Sequence, residues 1–553
     1  MAFGDLLERV GSTGRFQVLH VSLLCFPVLL MASHNLLQNF VAAIPAHHCN
    51  AHSNVSESHL SPQDILRITV PLDASGKPDR CQRYATPQWH LLNGSSDWEE
   101  EIVEVQGCTD GWSYNLTEMS STIISDWHLV CDLRSLKQMA QSTYMGGVLA
   151  GAVVFGGLSD RFGRRILLLM SHLLMAVSGT CVAFSTSFSM FCLARFFCGM
   201  SLSGIGLNTF SLIVEWIPTR VRTVVGTMVG YCYTLGQLIL AVVAYFIRDW
   251  RWLTLAVSLP FYVSFLYAWW FHESSRWLVL NNKSDQAIKN LKSVARFNGR
   301  AEEGDKIDLQ MVQEAMKKEL ASTHQSRSVI DLFRTPTMRK MTLCHSAVWL
   351  STSFAYYGIA MDLQKFGVNI YLIQVIFGAV DIPAKLVMTM CMGFIGRRPS
   401  QATALILAGV TILINLLVPF EKQAIRTSLA VVGKGLLAAS FNCCYLYAGE
   451  LFPTIIRQNG MGWVSMMARV GSMVAPIVLL CDDDMPWLPG LIYGGAPIIS
   501  GLAAVFLPET LGSPLPDTIQ DVEDRGSGRR SKTSQKEAIN LKDIQADLLK
   551  PGV

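Results

Sequence analysis

The stretch NGMGWVSMMARVGSMVAPIVLL, residues 459–480, decides the fold class of this chain. It consists mainly of apolar and small residues, and its length matches the roughly 20 residues that a helix needs to cross a bilayer. Arg469 lies in its middle. A guanidinium at that depth costs at least about 2.5–3.5 kcal/mol and stays protonated, so it needs a partner or a water-filled cavity. The stretch predicts a membrane helix whose arginine lines an ion or substrate pathway. A structural ion pair between helices is the alternative.

The composition supports a membrane protein. Half of the 553 residues are hydrophobic and only 16% are charged, whereas a soluble chain of this length carries far more charge. The net charge of +3 is too small to suggest a nucleic-acid partner. The sequence has no dinucleotide-binding, phosphate-binding, zinc or nucleophile motif. We therefore expect no enzyme activity, no metal site and no cofactor.

The apolar runs predict an all-α membrane protein with twelve transmembrane helices in two six-helix halves. The predicted spans are 16–40, 138–158, 166–184, 190–214, 223–247, 252–271, 341–361, 369–394, 402–418, 428–449, 459–480 and 487–507. The predicted regions are an N-terminal half at 1–272, a cytoplasmic linker at 273–340, a C-terminal half at 341–507 and a cytoplasmic tail at 508–553. Within the linker, residues 285–298 have helical periodicity, and Ser284 is the predicted N-cap.

The polar segment 45–136, between the first two spans, is predicted to be a large extracellular loop. It holds four cysteines and three N-x-S/T acceptor sites, which are typical of an oxidising compartment. The cysteines are Cys49, Cys81, Cys108 and Cys131, and the acceptor asparagines are Asn54, Asn93 and Asn115. Four cysteines allow three disulfide connectivities, which the sequence leaves open.

The distribution of Lys and Arg predicts the orientation in the membrane. The linker carries thirteen of them, and an excess of basic residues marks the cytoplasmic side. The short loops with Arg164 and Arg397 alternate consistently with this assignment. Both termini are then predicted to be cytoplasmic.

The two halves share an internal repeat. Gly163-Arg164-Arg165 recurs as Gly396-Arg397-Arg398 after 233 residues. The pattern E-x-x-P-T-x-x-R occurs at 215–222 and again 235 residues later at 450–457, and Glu273 recurs as Glu509 after 236 residues. Two six-span halves with matching segments are typical of a transporter whose site lies between the halves. A channel or a receptor, the rivals from other classes, would not need the duplication.

The repeated charges lie at predicted cytoplasmic helix ends. We expect them to pair between helices when the inner gate is closed and to separate when the halves rock open. Positive-inside anchoring is the alternative. The predicted gating residues are Asp160, Arg164, Arg165, Glu215, Arg222, Arg397, Arg398, Glu450 and Arg457.

Several motifs resemble a known family. GGLSDRFGRR (156–165) is similar to the loop signature of the major facilitator superfamily. The segments MASHNLLQNFVAAIPAHHC (31–49), ESSRWL (273–278), GRRPSQ (396–401) and GELFPTIIRQNGMG (449–462) are more specific. Together they resemble the organic anion transporters of solute carrier family 22, nearest the renal and olfactory members. The resemblance covers nearly the whole chain and implies the twelve-helix fold and a positively charged central cavity.

The resemblance also implies a set of substrate-binding residues. They match Arg469, Lys385, Tyr233, Tyr356, Tyr357, Trp349, Phe441, Asn35, Asn39 and Lys434. Two positions depart from relatives: Phe210 stands where a methionine occurs, and Gly206 where a serine occurs. Both changes alter the pocket wall, so we include Phe210 among the predicted substrate contacts. For any one aromatic, packing or lipid contact is the alternative.

Helix geometry places the main cations at one depth. Arg469 is twelve residues from Arg457, and Lys385 is twelve residues from Arg397, which puts both about 18 Å from the cytoplasmic helix end at 1.5 Å per residue. Transport sites belong near the bilayer midplane. Asp381 precedes Lys385 by one turn and is the only candidate carboxylate in these two spans. If it pairs with one of the two cations, we expect that cation to be Lys385.

The resulting prediction is a polyspecific organic anion transporter that exchanges extracellular anions for intracellular dicarboxylates by alternating access. The implied substrates are aromatic carboxylates, dicarboxylates, sulfate conjugates or urate, and the implied counter-ion is chloride or a dicarboxylate such as 2-oxoglutarate. We expect a glycosylated monomer in the plasma membrane. The alternative is an organic cation, zwitterion or urate carrier of the same fold. The cation branch of the family carries an acid where Arg469 stands, which disfavours that branch.

Overall fold

The computed structural model describes residues 3–11, 13–51, 60–73, 76–92, 104–323, 329–419, 421–453, 455–482, 485–513, 516 and 518–526. The N-terminal helices are α1 (Phe3–Val10), α2 (Arg15–Leu36), α3 (Gln38–Val41), α4 (Pro62–Thr69), α5 (Ile123–Trp127), α6 (Ser135–Phe162), α7 (Arg164–Ala183), α8 (Phe188–Trp216), α9 (Thr219–Phe246), α10 (Trp250–Ser258) and α11 (Pro260–Ala268). The linker contains α12 (Ser275–Leu280), α13 (Ser284–Phe297), α14 (Ala301–Asp305), α15 (Leu309–Thr323) and α16 (Asp331–Arg334). The C-terminal part contains α17 (Pro336–Ala360), α18 (Ile370–Phe394), α19 (Arg397–Leu417), α20 (Gln423–Leu451), α21 (Arg457–Val478), α22 (Leu488–Ala504) and α23 (Ile519–Gly526).

Among the described residues, nine helical segments are long and apolar enough to cross a membrane. They coincide with nine of the predicted spans. The other three predicted spans coincide with α10 and α11 together, with α17 and with α22. The helical membrane fold is therefore as predicted, while the count of twelve spans stays a prediction. The predicted sixth span is divided, because Pro260 begins a second helix directly after Leu259.

Small residues bring the helices of each half close together. α6 packs on α8, where Gly147 faces the backbone of Phe196 and Gly199 faces the backbone of Tyr144. A side chain at either glycine would collide with that backbone. The same use of small residues at helix contacts is typical of membrane proteins, where van der Waals packing drives helix association.

The predicted extracellular loop contains two small antiparallel sheets. β1 (His47–Cys49) pairs with β4 (Trp112–Tyr114), and β2 (Gln82–Tyr84) pairs with β3 (Val105–Gly107). Two disulfides, Cys49–Cys108 and Cys81–Cys131, join these strands to each other and to the segment before α6. All four candidate cysteines are thus bridged, in one of the three open connectivities. Asn115 is exposed, whereas Asn54 and Asn93 lie outside the described residues.

The linker helix predicted at 285–298 is present as α13. Ser284 is its first residue rather than its N-cap, which is Lys283 without a side-chain cap bond. The side chain of Asn298, just beyond α13, accepts a hydrogen bond from the backbone of Phe16 at 2.9 Å and donates to the backbone carbonyl of Gly11 at 3.0 Å. The linker therefore packs against the start of α2.

The two halves meet at the outer end, the end that carries the disulfide-bonded loop. α6 contacts α21, and α9 contacts α18. We call three pairs across the halves the outer contact. They are Asn39 with the carbonyl of Ala360 at 2.8 Å, Gln364 with both backbone groups of Ile44 at 2.8 and 3.0 Å, and the Tyr371 hydroxyl with the carbonyl of Glu118 at 2.6 Å.

Several glycines near the opposite end, where the linker lies, face open space. A Cβ added at Gly226, Gly393, Gly449 or Gly462 would meet no atom within 4 Å. These glycines lie on α9, α18, α20 and α21, near the ends that face the linker. Polar contacts therefore close the space between the two halves at the outer end, whereas these four glycines face open space on the linker side.

Candidate functional site

Two cations lie inside this space without a carboxylate partner. Lys385, on α18, donates to the carbonyl of Gly230 at 3.0 Å and to the Thr234 hydroxyl at 2.9 Å, both on α9. Arg469, on α21, donates to the Ser465 hydroxyl at 2.6 Å. Across the described residues, no carboxylate lies within 4.0 Å of either cation. Both side chains are half-buried, so each can reach a solute.

The third predicted cation, Lys434, has a different environment. Its ammonium lies 2.7 Å from Asp381 Oδ1, and both side chains are only 1% exposed. The expectation that Asp381 would pair with Lys385 is therefore wrong. The cause is helix packing, since α20 presents Lys434 directly to α18. In this conformation Lys434 is sealed from the cavity, and its predicted substrate contact stays a prediction.

A glutamine from the other half completes this buried pair. Gln237, on α9, donates to Asp381 Oδ2 at 3.1 Å and to the Tyr356 hydroxyl at 3.3 Å, and accepts from Lys434 at 3.3 Å. The Tyr356 hydroxyl donates to Asp381 at 3.4 Å. The Gln237 amide thus serves both charges. Its NH₂ group donates to the carboxylate, and its oxygen accepts from the ammonium.

Tyrosines connect the halves near the two half-buried cations. Tyr233 lies 3.4 Å from Tyr357, hydroxyl to hydroxyl, and accepts a hydrogen bond from Asn35 at 3.0 Å. Tyr356 packs edge-on against Tyr357 and against Phe441, each at 5.4 Å between ring centroids. The structure therefore brings five of the predicted substrate residues together in one aromatic, hydroxyl-lined wall.

Other predicted substrate residues lie elsewhere. Trp349 is buried behind Tyr445, with the ring centroids 4.6 Å apart, and donates to His345 Nε2 at 2.9 Å. Asn39 belongs to the outer contact and is buried there. Phe210 is exposed on α8, one turn beyond Gly206, which faces Met31 of α2. In this conformation Trp349 packs behind Tyr445, whereas Asn39 joins the two halves at the outer end.

The repeated charges form the same network in each half. The Arg164 side chain lies 3.4 Å from Glu215, and the backbone amides of Arg164 and Arg165 donate to Glu273 at 3.1 and 3.0 Å. Glu273 thereby supplies the N-terminal amides of α7 with an acceptor, as capping requires. Arg164 also lies 3.2 Å from Asp160.

The C-terminal half repeats this arrangement at α19. Arg397 lies 3.0 Å from Glu450, and the amides of Arg397 and Arg398 donate to Glu509 at 2.9 and 3.0 Å. Burial raises the pKa of Glu509, but the hydrogen bonds that it accepts from Leu511 and from both arginine amides outweigh burial and lower the pKa overall. Glu273 and Glu509 therefore have the same role in the two halves. Each accepts hydrogen bonds from the first backbone amides of a helix, α7 or α19.

The predicted gating pairs are formed in this conformation. Arg164–Glu215 and Arg397–Glu450 each join two helices of the same half. Their separation when the halves rock apart stays a prediction. The two remaining arginines donate within their own half, Arg222 to the carbonyl of Val214 and Arg457 to that of Phe452, both at 3.1 Å.

Comparison with known proteins identifies the family. A family model described as "Sugar (and other) transporter" matches residues 101–520. Solute carrier family 22 member 6 of Pseudopleuronectes americanus is 73% identical over the whole of both chains, and that of Danio rerio is 70% identical, again over both whole chains. Member 20 of the same family from Mus musculus is 50% identical over the whole of both chains. The chain belongs to solute carrier family 22.

The fold of this family member is also that of solved transporters. The inward-open xylose transporter of E. coli matches with a TM-score of 0.57 at 17% identity, over 91% of this chain and 98% of that chain. Its partially occluded inward-open form matches with a TM-score of 0.58 at 17% identity, over 90% and 100% of the chains. These matches support the major facilitator fold. The chain is a multi-pass membrane transporter and not an enzyme, and the resemblance drawn from the motifs is confirmed.

Sequence reasoning missed several residues of this family 22 site. Tyr445 is exposed and packs against the buried Trp349. It lies four residues after Phe441 and therefore on the same face of α20. Tyr144 donates to Asn35 at 2.5 Å. Helical periodicity from Phe441 could have identified Tyr445. Gln237, by contrast, is recognisable only once its partners on three helices of the other half are known.

Proposed function

We propose that the chain exchanges extracellular organic anions for intracellular dicarboxylates by alternating access in the plasma membrane. The observation that carries this proposal is the contrast among the three cations. Lys434 is neutralised by Asp381, whereas Arg469 and Lys385 lie half-buried with no carboxylate within 4.0 Å among the described residues. A cation in such surroundings favours an anionic solute.

The chemistry of the wall suits aromatic carboxylates. The Arg469 guanidinium offers a planar fork for a carboxylate, while the Lys385 ammonium acts as a point charge. Tyr357 and Phe441 present ring surfaces, and the Tyr357 hydroxyl adds a polar group. Together they suit flat, amphipathic ring systems. We include dicarboxylates, sulfate conjugates and urate in the substrate class, because each presents the same negative charge to the two cations.

Preloading distinguishes exchange from facilitated diffusion. Cells expressing the chain are loaded with 2-oxoglutarate or with buffer, and the uptake of labelled p-aminohippurate, an aromatic carboxylate, is measured. We expect faster uptake after loading. In an exchanger the carrier returns to the outward-facing state with 2-oxoglutarate bound, and this return is faster than the return of the empty carrier. Labelled tetraethylammonium, an organic cation, is the control for the alternative carrier class. Uptake of the cation rather than the carboxylate would contradict the proposal.

We further propose that the loop 45–136 is extracellular and glycosylated and that both termini are cytoplasmic. The two disulfides and the exposed Asn115 support an oxidising compartment for the loop. Glycosidase treatment should shift the wild-type band but not that of a triple Asn54, Asn93, Asn115→Gln variant. Glycan on Asn282, which heads an N-K-S triplet in the linker, would contradict this topology.

A further inference from the structure

We propose that the N-terminal half holds a second anion site, separate from the cavity, at Arg195 of α8, and that it takes a small inorganic anion such as chloride. The proposal goes beyond the exchange function, because the site needs neither the substrate nor the C-terminal half. Its centre is a guanidinium that the transport mechanism above does not use.

Arg195 is a buried cation without a polar partner. The residue is 1% exposed, and none of its three guanidinium nitrogens has a hydrogen-bond partner among the described residues. Arginine stays protonated in proteins. Leaving a buried charge uncompensated is strongly unfavourable, so a compensating group is required.

The protein itself supplies no negative charge here. The Arg195 guanidinium lies 4.0 Å from the ring centroid of Tyr144, a cation–π contact. The other ionisable groups that interact with it electrostatically are Cys192, Cys198 and His34. Tyrosine, cysteine and histidine carry no negative charge at neutral pH in their ordinary pKa range. The ring of Tyr144 thus lies against the guanidinium, and none of these neighbours carries a full negative charge.

Further orphaned donors lie one helical turn from the neighbours of Arg195. Gln141 precedes Tyr144 by three residues on α6, and its side-chain nitrogen and oxygen are buried without a partner in the described structure. Gln38 follows His34 by four residues, and its side-chain nitrogen is likewise without a partner, as is His34 Nδ1. Residues three or four apart share a helix face. Within the described part of the chain, Gln141 and Gln38 therefore each hold a buried, unpartnered amide N–H one turn from a residue that interacts with Arg195, and an anion accepts hydrogen bonds from such groups.

Burial limits the size of that anion. Arg195, Gln141 and His34 are almost completely shielded from solvent, in contrast to the half-buried Arg469. An aromatic carboxylate needs contacts for its ring and an entry path as wide as the ring. The surroundings of Arg195 are too closely packed to provide them. A monatomic halide needs only a few N–H donors.

A hydrogen-bond chain connects the proposed site to the cavity. Tyr144, whose ring lies against Arg195, donates from its hydroxyl to Asn35, and Asn35 donates to Tyr233 at 3.0 Å. Tyr233 lies 3.4 Å from Tyr357 of the other half. An anion that fixes Arg195 also fixes the Tyr144 ring and hence this chain. By linkage, occupancy of either site then changes the affinity of the other by the same factor.

Thermal unfolding of the purified full-length protein tests the proposal. Chloride is titrated against gluconate at constant ionic strength. We expect a saturable rise of Tm for the wild type, the loss of that rise in Arg195→Met, and its retention in Arg469→Met, the matched control in the cavity. A wild-type Tm independent of chloride would mean that water alone satisfies the donors. A rise that survives in Arg195→Met, or disappears only in Arg469→Met, would also overturn the proposal.

A second measurement does not depend on whether Arg195→Met folds. Wild-type protein is crystallised in bromide, and the anomalous signal of bromide is located. We expect a peak within hydrogen-bonding distance of the Arg195 guanidinium. A peak confined to Arg469, or no peak in the N-terminal half at saturating bromide, would overturn the proposal. Neither outcome depends on transport, so the test is independent of the exchange function.

Discussion

Lys434 lies 2.7 Å from Asp381, and both side chains are 1% exposed, while Lys385, one turn from Asp381 on α18, contacts only neutral groups among the described residues. In this conformation one cation of the C-terminal half is therefore neutralised by the protein, and another has no carboxylate partner in the described part of the structure. We expect this division to separate a residue whose loss destabilises the protein from one whose loss stops transport.

The buried pair should control stability. Replacing Lys434 by Met leaves Asp381 buried and uncompensated, which costs about 3–5 kcal/mol for a buried pair. We expect a marked fall in Tm and surface abundance. The double variant Lys434→Met, Asp381→Leu should recover most of the loss. Lys385→Met is the matched control and should keep the wild-type Tm but lose anion uptake. Wild-type stability of Lys434→Met would contradict this division.

Gln364 should hold the outer end closed. Its side chain makes two hydrogen bonds to Ile44 of the other half, together worth about 1–3 kcal/mol. Gln364→Ala should populate the outward-open state and speed labelling of Ser142→Cys, at the α6–α21 contact, by a membrane-impermeant thiol reagent roughly fivefold or more. Gln423→Ala is the control, because Gln423 lies against Gly367 of its own half. Equal labelling rates in the two backgrounds would refute this role.

The repeated charge networks should affect turnover rather than substrate affinity. They join α7 to α8 and α19 to α20 within each half, so they keep each half rigid during rocking. We expect Glu215→Gln and Glu450→Gln to lower maximal uptake at matched surface abundance while KM changes by less than about twofold. Glu421→Gln, at an exposed position, is the control. A large rise in KM at normal maximal uptake would indicate direct substrate contact instead.

Much of the fold follows from local sequence patterns, because a membrane helix is visible as an apolar run and the repeat is visible as matched motifs. The rule that identified Arg469, a charge within an apolar span, applies equally to Arg195 in the predicted span 190–214. Arg195 has no counterpart among the substrate-binding residues that the resemblance implies. The cap function of Glu273 and Glu509 was visible as a repeat, but its meaning required the positions of the α7 and α19 amides.

The pairing of charges could not be predicted in the same way. Asp381 precedes Lys385 by one turn, which favours that pair in an isolated helix. The tertiary contact of α18 with α20 instead brings Lys434 to Asp381. Likewise, Asn39 shares a predicted span with Asn35, and Trp349 shares α17 with Tyr356. In the structure Asn39 nevertheless contacts Ala360 of the other half, and Trp349 packs against Tyr445. Such choices depend on the rotation and crossing of helices, which local sequence does not specify.

Arg469 is the most direct test of the proposed anion site. Uptake of labelled p-aminohippurate is measured against concentration for Arg469→Lys and Arg469→Asp, with surface abundance measured in parallel. The lysine variant keeps the charge but loses the fork, so we expect a roughly ten- to hundredfold loss of affinity, equivalent to about 1.5–3 kcal/mol for one charge-assisted contact. The aspartate variant should reach the surface and transport no anion, because its carboxylate repels that of the substrate. Lys422→Asp, the same charge change at an exposed position, should transport normally. If Arg469→Asp exchanges anions at the wild-type rate, the cavity cation does not bind the substrate and the account is wrong.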